Sequence, residues 1–150
     1  MAVRKSSELT SRVRILLVDD NSNGLKARKS VLEEHGYRIA TARGGEEALD
    51  VFSRQKFDLV ITDYKMPPGM DGVELISRLR QQAADLPVIL LSGFVDSLGL
   101  SHDNTGADAV IQKSANEVQH LVRAVARLLA PKAARKPSSG TPPKVKRRAV

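Results

Sequence analysis

Five side chains that could take part in chemistry lie at the end of a short apolar run, or directly after one, and such runs form β-strands. They are Asp19, Asp20, Asp63, Ser92 and Lys113. In an open α/β sheet the carboxyl ends of parallel strands meet at one edge, and ligands bind in the crevice beyond them. We therefore expect these five side chains to converge.

The three carboxylates need a cation if they converge. Two unit charges about 4 Å apart repel by about 4 kcal/mol at an effective dielectric constant of 20, so such a cluster either holds protons or binds a metal. Hard oxygen ligands favour magnesium, because a Mg²⁺ site needs only one or two carboxylates when water and phosphate oxygens complete the octahedron. We predict a magnesium site at Asp19, Asp20 and Asp63.

The whole set of side chains is suited to handling a phosphoryl group. A carboxylate such as Asp63 can act as the nucleophile toward phosphorus. A metal and Lys113 can neutralise the equatorial oxygens, and the hydroxyl of Ser92 can donate a hydrogen bond to one of them.

Short apolar runs alternate with amphipathic stretches between Val13 and Ala130, which predicts five β-α units around a doubly wound parallel sheet. The predicted strands are residues 14–18, 38–41, 59–62, 88–91 and 109–112. The predicted helices are residues 25–34, 46–54, 72–82, a short or mobile one within 95–105, and a last one whose apolar residues run from Val118 to Leu129. Ser114 and Glu117 predict a capping box at the start of this last helix.

The composition is that of one soluble domain. The chain has 150 residues and no cysteine, which excludes thiolate catalysis, disulfides and Cys-based zinc sites. The first residues contain no apolar stretch of the signal-peptide kind, and no apolar run is long enough to span a bilayer. We expect a cytoplasmic protein.

The net charge of +7 comes from the last twenty residues. Residues 131–150 contain seven lysines and arginines and no acid, whereas residues 1–130 contain 17 basic and 17 acidic side chains. Proline, glycine and serine fill much of this segment, so it cannot bury enough apolar surface to fold. We predict an N-terminal extension at 1–12, a folded domain at 13–130 and a disordered basic tail at 131–150.

The motifs together resemble the response regulator receiver domain of two-component signalling, similar to chemotaxis regulators. The matching features are the acidic pair, the strand-end Asp63 followed by Met66-Pro67 and Met70-Asp71-Gly72, the Leu91-Ser92-Gly93 strand end, and Lys113. The resemblance covers roughly residues 14–130. It implies a flavodoxin-like fold with (βα)₅ topology.

The resemblance also implies roles for individual residues. Asp63 would accept phosphate from a phosphohistidine, with Asp20 and Asp63 binding Mg²⁺ directly, Asp19 acting mainly through water and the carbonyl of Lys65 completing the protein ligands. Lys113 would pair with the phosphoryl group. Ser92 would move to hydrogen-bond it and so reshape the surface formed by the fourth helix, the fifth strand and the fifth helix.

Such a protein is not an enzyme in the usual sense, because it would catalyse only its own aspartyl phosphorylation and dephosphorylation. Its partners would be a histidine kinase or a histidine phosphotransfer protein, and it would act as a monomer or as a phosphorylation-dependent dimer. It would switch a downstream target or relay phosphate onward. The sequence identifies neither the kinase nor the target.

Three positions depart from the family pattern. Ser114 stands where a proline usually follows the lysine, and Val110 stands where an aromatic switch residue is common. The loop containing Pro67, Pro68 and Gly69 is one residue longer than usual. Of these, the valine bears most on coupling between Ser92 and the output surface, because it has no ring to reorient.

Two other function classes compete with this interpretation. The basic tail could bind nucleic acid or an anionic surface, since clustered Lys and Arg attract phosphates regardless of sequence. A phosphohydrolase with an aspartyl nucleophile would need an acid two residues after that nucleophile, and Lys65 is found there instead.

Overall fold

Residues 12–130 are described by the computed structural model, except for the side chains of Asp96, Ser97 and His102. Strands and helices alternate along these residues in the order β1 (Arg14–Val18), α1 (Ser22–Glu34), β2 (Arg38–Ala42), α2 (Gly45–Arg54), β3 (Leu59–Asp63), α3 (Gly72–Gln82), β4 (Val88–Ser92), α4 (Val95–Leu98), α5 (His102–Thr105), β5 (Ala109–Gln112) and α6 (Glu117–Leu129). The predicted tail, 131–150, and residues 1–11 lie outside the described residues, so the predicted domain limits stay predictions.

The five strands form one parallel sheet in the order β2-β1-β3-β4-β5. This confirms the predicted doubly wound fold. Strands β3 and β4 are buried at every position, as expected when helices cover both faces of a parallel sheet.

Alternate residues of each central strand enter opposite cores, because successive side chains of a strand point to opposite faces. In β1, Ile15 and Leu17 pack with α1 and α6 residues on one face, whereas Leu16 and Val18 pack with α3 residues on the other. Two apolar layers therefore fix the sheet between them. The candidate site residues predicted from the sequence lie where the strands leave these layers.

Local signals explain where several helices begin and end. The side chain of Asn21 accepts a hydrogen bond from the backbone N–H of Gly24 at 2.9 Å and caps α1. Gly36 follows α1 with φ of 96°, a conformation that favours glycine after a helix. Asp71 caps α3 by accepting from the N–H of Glu74 at 2.9 Å.

The weak fourth helix of the sequence prediction is observed as two short helices, α4 and α5. Gly99 lies between them with φ of 64°, which ends α4. Asn104 then joins the two segments, since its side chain accepts from the N–H of Ser101 and donates to the carbonyl of Gly99. Among the described residues, no helix combines the length and hydropathy that a membrane crossing requires.

The predicted capping box of Ser114 and Glu117 is wrong. Asn116 is the residue that precedes α6, and no side chain caps the helix there. The Glu117 carboxylate binds the guanidinium of Arg28 instead, with Nε to Oε2 at 2.6 Å. A charge-assisted hydrogen bond of this kind is stronger than a bond to a neutral backbone N–H.

Gly72 allows α3 to begin directly against the end of β3. Its N–H donates to the carbonyl of Tyr64 at 2.7 Å, and a Cβ at this position would collide with the carbonyl oxygen of Asp63 and lie 2.8 Å from Leu90 Cδ1. Within the described residues the one cis peptide bond, Pro67–Pro68, lies in the loop that Gly72 closes.

Gly72→Ala should lower the free energy of unfolding by about 1–3 kcal/mol, because backbone atoms of β3 must move to admit the methyl group. Urea unfolding followed by far-UV circular dichroism measures the change. Gly69→Ala is the matched control, since a Cβ at Gly69 meets no atom within 4 Å. Equal stability of the two variants would contradict the steric argument.

Candidate functional site

Three carboxylates converge at the carboxyl ends of β1 and β3. Asp19, Asp20 and Asp63 each offer an oxygen, and these oxygens all lie within 4.8 Å of one another. Asp19 and Asp63 are 1% and 6% exposed, and Asp20 is half-buried. The arrangement follows from strand order, because β1 and β3 are neighbours and Val18 is in register with Thr62. An all-oxygen cluster of this size and charge fits a magnesium ion.

The surroundings of the Asp63 carboxyl disfavour its ionised form. Burial raises its pKa above the ordinary value, and the negative charge of Asp19 adds to the rise. Two hydrogen bonds to Oδ1 oppose this, one from Lys113 Nζ at 2.7 Å and one from the N–H of Tyr64 at 3.0 Å. The ionised carboxylate therefore remains short of positive charge.

Lys113 approaches Asp63 from the end of β5, which is separated from β3 by β4. It follows β5, and its N–H donates to the carbonyl of Ser92 at 2.8 Å, which aligns the ends of β5 and β4. From there the Lys113 side chain reaches past β4 to Asp63 on β3. The Lys113 side chain is 29% exposed, so it can meet a group that approaches from solvent.

Ser92 ends β4, next to Asp63 on the neighbouring strand. Ser92 is 2% exposed, and its hydroxyl accepts a hydrogen bond from the N–H of Phe94 at 3.0 Å. In this structure the hydroxyl is thus engaged by its own loop. In the same loop region, Lys65 Nζ lies 5.0 Å from the centre of the exposed Phe94 ring. The predicted metal contact of the Lys65 carbonyl stays a prediction.

Sequence reasoning missed a second basic residue at the acidic cluster. Arg28 Nη1 lies 2.5 Å from Asp19 Oδ2, and the same guanidinium binds Glu117. One signal was available: Leu25, Arg28 and Leu32 share the buried face of α1, so a charged residue stands within an apolar stripe. Burial lowers the pKa of Arg28, but hydrogen bonds and charge from Glu117 and Asp19 outweigh it and raise the pKa overall.

Comparison with known proteins gives a consistent family. A family model for the response regulator receiver domain matches residues 15–126. The alkaline phosphatase synthesis transcriptional regulatory protein PhoP of Bacillus subtilis is 38% identical over 120 residues, which are 76% of this chain and 48% of PhoP. The probable transcriptional regulator ycf27 of Cyanidium caldarium is 34% identical over 116 residues, or 75% of this chain and 46% of ycf27. The chain thus spans about half the length of these curated relatives.

Solved structures agree with the sequence comparison. The response regulator TrrA from Thermotoga maritima, solved in complex with Mg(2+)-BeF, has a TM-score of 0.69 and 40% identity, covering 78% of this chain and 99% of TrrA. The chemotaxis protein CheY4 of Vibrio cholerae has a TM-score of 0.70 and 28% identity, covering 78% of this chain and 98% of CheY4.

Asp63→Asn should raise the free energy of unfolding of the metal-free protein near neutral pH. The folded-state pKa of Asp63 lies above the unfolded value, so ionisation disfavours the fold. This penalty is complete above the folded-state pKa and disappears once the pH falls below the unfolded value. The advantage of Asn over Asp should therefore shrink on acidification.

Urea unfolding in EDTA, at about pH 7.5 and again near the unfolded pKa of about 4, measures this difference. The control is Asp50→Asn, which makes the same chemical change at an exposed ion pair on α2 and should alter stability by less than about 1 kcal/mol. Lower stability of Asp63→Asn than of the native protein at neutral pH would contradict the raised pKa of Asp63.

Proposed function

Because this chain belongs to the response regulator receiver domains of two-component signalling, we propose that Asp63 accepts a phosphoryl group from a phosphohistidine in a Mg²⁺-dependent reaction. The family is a signalling domain and not a conventional enzyme. The partner that such a domain requires is a histidine kinase or a histidine phosphotransfer protein.

One observation carries the proposal: the Asp63 carboxylate is buried in an acidic cluster yet is bound by Lys113 Nζ at 2.7 Å. A buried carboxylate with a raised pKa is poorly satisfied in its ionised form. A bound divalent cation would supply the positive charge that this site lacks. Together with Lys113 it would stabilise the negative charge on the phosphoryl oxygens, which is the main source of catalysis in phosphoryl transfer.

In the proposed transfer an Asp63 oxygen forms a bond to phosphorus while the phosphorus–nitrogen bond of the phosphohistidine breaks, and the departing imidazole keeps the bonding electron pair and takes up a proton. Lys113 moves from the carboxylate to a phosphoryl oxygen, as its partial exposure permits. Asp19, Asp20, Asp63 and the Lys65 carbonyl would hold Mg²⁺, which supplies positive charge to the phosphoryl oxygens when bound.

The proposed output begins at Ser92. Its hydroxyl would leave the N–H of Phe94 and donate to the phosphoryl group, which moves the loop that leads into α4. Among the described residues, the exposed large apolar ones are Phe94, Leu98 and Val118, at 52%, 45% and 43%, and the first two lie in or next to α4. Val110 is half-buried among apolar residues, so the proposed signal passes through backbone movement without an aromatic ring.

For this chain we propose one of two roles: a single-domain switch, or an intermediate that relays phosphate onward. The alternative, in which the basic tail binds nucleic acid or an anionic surface, depends on residues 131–150 and stays a prediction. Nothing among the described residues favours it over phosphoryl transfer at Asp63.

Incubation of the 150-residue protein with Mg²⁺ and acetyl phosphate tests the proposal. Intact-mass spectrometry should show addition of one phosphoryl group, which EDTA prevents and Asp63→Asn abolishes. Asp50→Asn should be labelled like the native protein, since it removes an exposed carboxylate that pairs with Arg54. Beryllofluoride should shift backbone amide resonances near Asp63 and Ser92 in the native protein. Labelling of Asp63→Asn, or no labelling of the native protein, would refute the proposal.

A further inference from the structure

Arg28 occupies an unusual place for an arginine. It is 9% exposed and belongs to the buried face of α1 between Leu25 and Leu32. Arginine is almost never this buried unless it is paired. A side chain in this environment has no water to compensate its charge, so the fold must supply its counter-charges.

Two carboxylates from distant parts of the chain supply them. Arg28 Nε and Nη2 bind the two oxygens of Glu117 at 2.6 and 3.3 Å, and Nη1 binds Asp19 Oδ2 at 2.5 Å. Glu117 is the first residue of α6, whereas Asp19 belongs to the acidic cluster. The guanidinium is therefore a rigid link between the cluster and the start of α6.

Gly24 gives this link the room it needs. A Cβ at Gly24 would lie 2.9 Å from both Arg28 Nη1 and Asp19 Oδ2. Glycine is disfavoured inside helices relative to alanine, yet α1 has glycine at this position, where any larger residue would crowd the ion pair.

The charged side chains at the cluster carry more negative than positive charge. Four carboxylates, those of Asp19, Asp20, Asp63 and Glu117, contact or adjoin two cations, Arg28 and Lys113. Four negative charges minus two positive charges leave a net charge of −2, which one divalent ion would neutralise. Arg28 would thus share Asp19 with such an ion.

We propose that Arg28 is a positioning residue that acts as an internal counter-ion of Asp19 and competes there with Mg²⁺, and that Glu117 moderates this competition by binding the same guanidinium. Metal binding is then linked to the start of α6. This inference rests on the proposed function in one respect, namely that Mg²⁺ binds the acidic cluster.

The proposal predicts changes of opposite sign at two residues that contact each other. Arg28→Met removes a positive charge and frees Asp19, so it should tighten Mg²⁺ binding by about fivefold or more. Glu117→Gln removes the charge that moderates Arg28, so it should weaken Mg²⁺ binding by about threefold or more. A merely structural role would weaken binding in both variants, because each loses an ion pair of the fold.

The measurement is a Mg²⁺ titration of the 150-residue protein at constant ionic strength, followed by backbone amide NMR at Asp20 and Tyr64. Glu74→Gln is the matched control: it makes the same change at an exposed ion pair with Arg78 on α3, and its Mg²⁺ affinity should stay within about twofold of the native value.

Arg28→Lys keeps the argument testable if Arg28→Met does not fold. Lysine keeps the charge but cannot bind two carboxylates through a planar fork. In the native protein Mg²⁺ should shift the amides of residues 114–117 as well as those of the cluster, and in Arg28→Lys the shifts at 114–117 should largely disappear.

The outcomes separate the two proposals. If the native protein shows no Mg²⁺-dependent shifts at Asp19, Asp20 and Asp63, both the proposed function and this inference are wrong. If the native protein binds Mg²⁺ but Arg28→Met and Glu117→Gln change affinity in the same direction, or not at all, only the inference is wrong. Unchanged shifts at 114–117 in Arg28→Lys would also overturn it.

Discussion

The structure is organised around the mutual repulsion of carboxylates that the fold forces together. Asp19 and Asp63 are both nearly inaccessible to water, and their oxygens lie within 4.8 Å of each other and of Asp20. Burial and repulsion both disfavour the charged state, as the raised pKa of Asp63 indicates. The fold tolerates the cluster because two cations from distant positions in the sequence bind it, Arg28 at Asp19 and Lys113 at Asp63. The site is thus only partly compensated, which is the condition under which a ligand with positive charge gains most.

The rest of the fold keeps these groups from relaxing apart. Strands β1 and β3 are paired in register, and two apolar cores hold both faces of the sheet. Lys113 is aligned by its backbone bond to Ser92, and Arg28 by the helix that packs on β1. A closely packed interior resists the small shifts that would separate the charges. The unfavourable geometry is maintained by hydrophobic burial elsewhere in the domain.

Much of this fold could be read from the sequence because its signals are local. Apolar runs that end at polar residues predicted the strands of the sheet, and the observed β3 differs from its prediction only by including Asp63. Helix α1 begins earlier than predicted because Asn21 caps it, a side-chain interaction that apolar periodicity does not reveal. The family resemblance added the assignment of individual roles at the cluster, and those roles stay proposals.

The features that the sequence did not reveal are those that depend on distant partners. Glu117 was predicted to cap its own helix, yet it binds Arg28, 89 residues away. Arg28 itself drew no prediction, because a lone arginine on a helix is ordinarily solvated. The apolar stripe of α1 indicates that Arg28 is buried, but only the three-dimensional packing of α1 against α6 makes Glu117 its partner, and no local pattern contains that pairing.

The hydrogen bonds at the end of β3 have a consequence for how this domain can diverge. The N–H of Tyr64 is bound to the carbonyl of Leu91, and the carbonyl of Tyr64 accepts from Gly72. These two backbone hydrogen bonds therefore close the base of the intervening loop, which contains consecutive prolines. We infer that residues 67–69 can change in number and shape with little displacement of the Asp63 carboxylate, whereas Lys65, whose carbonyl is a proposed metal ligand, must keep its position.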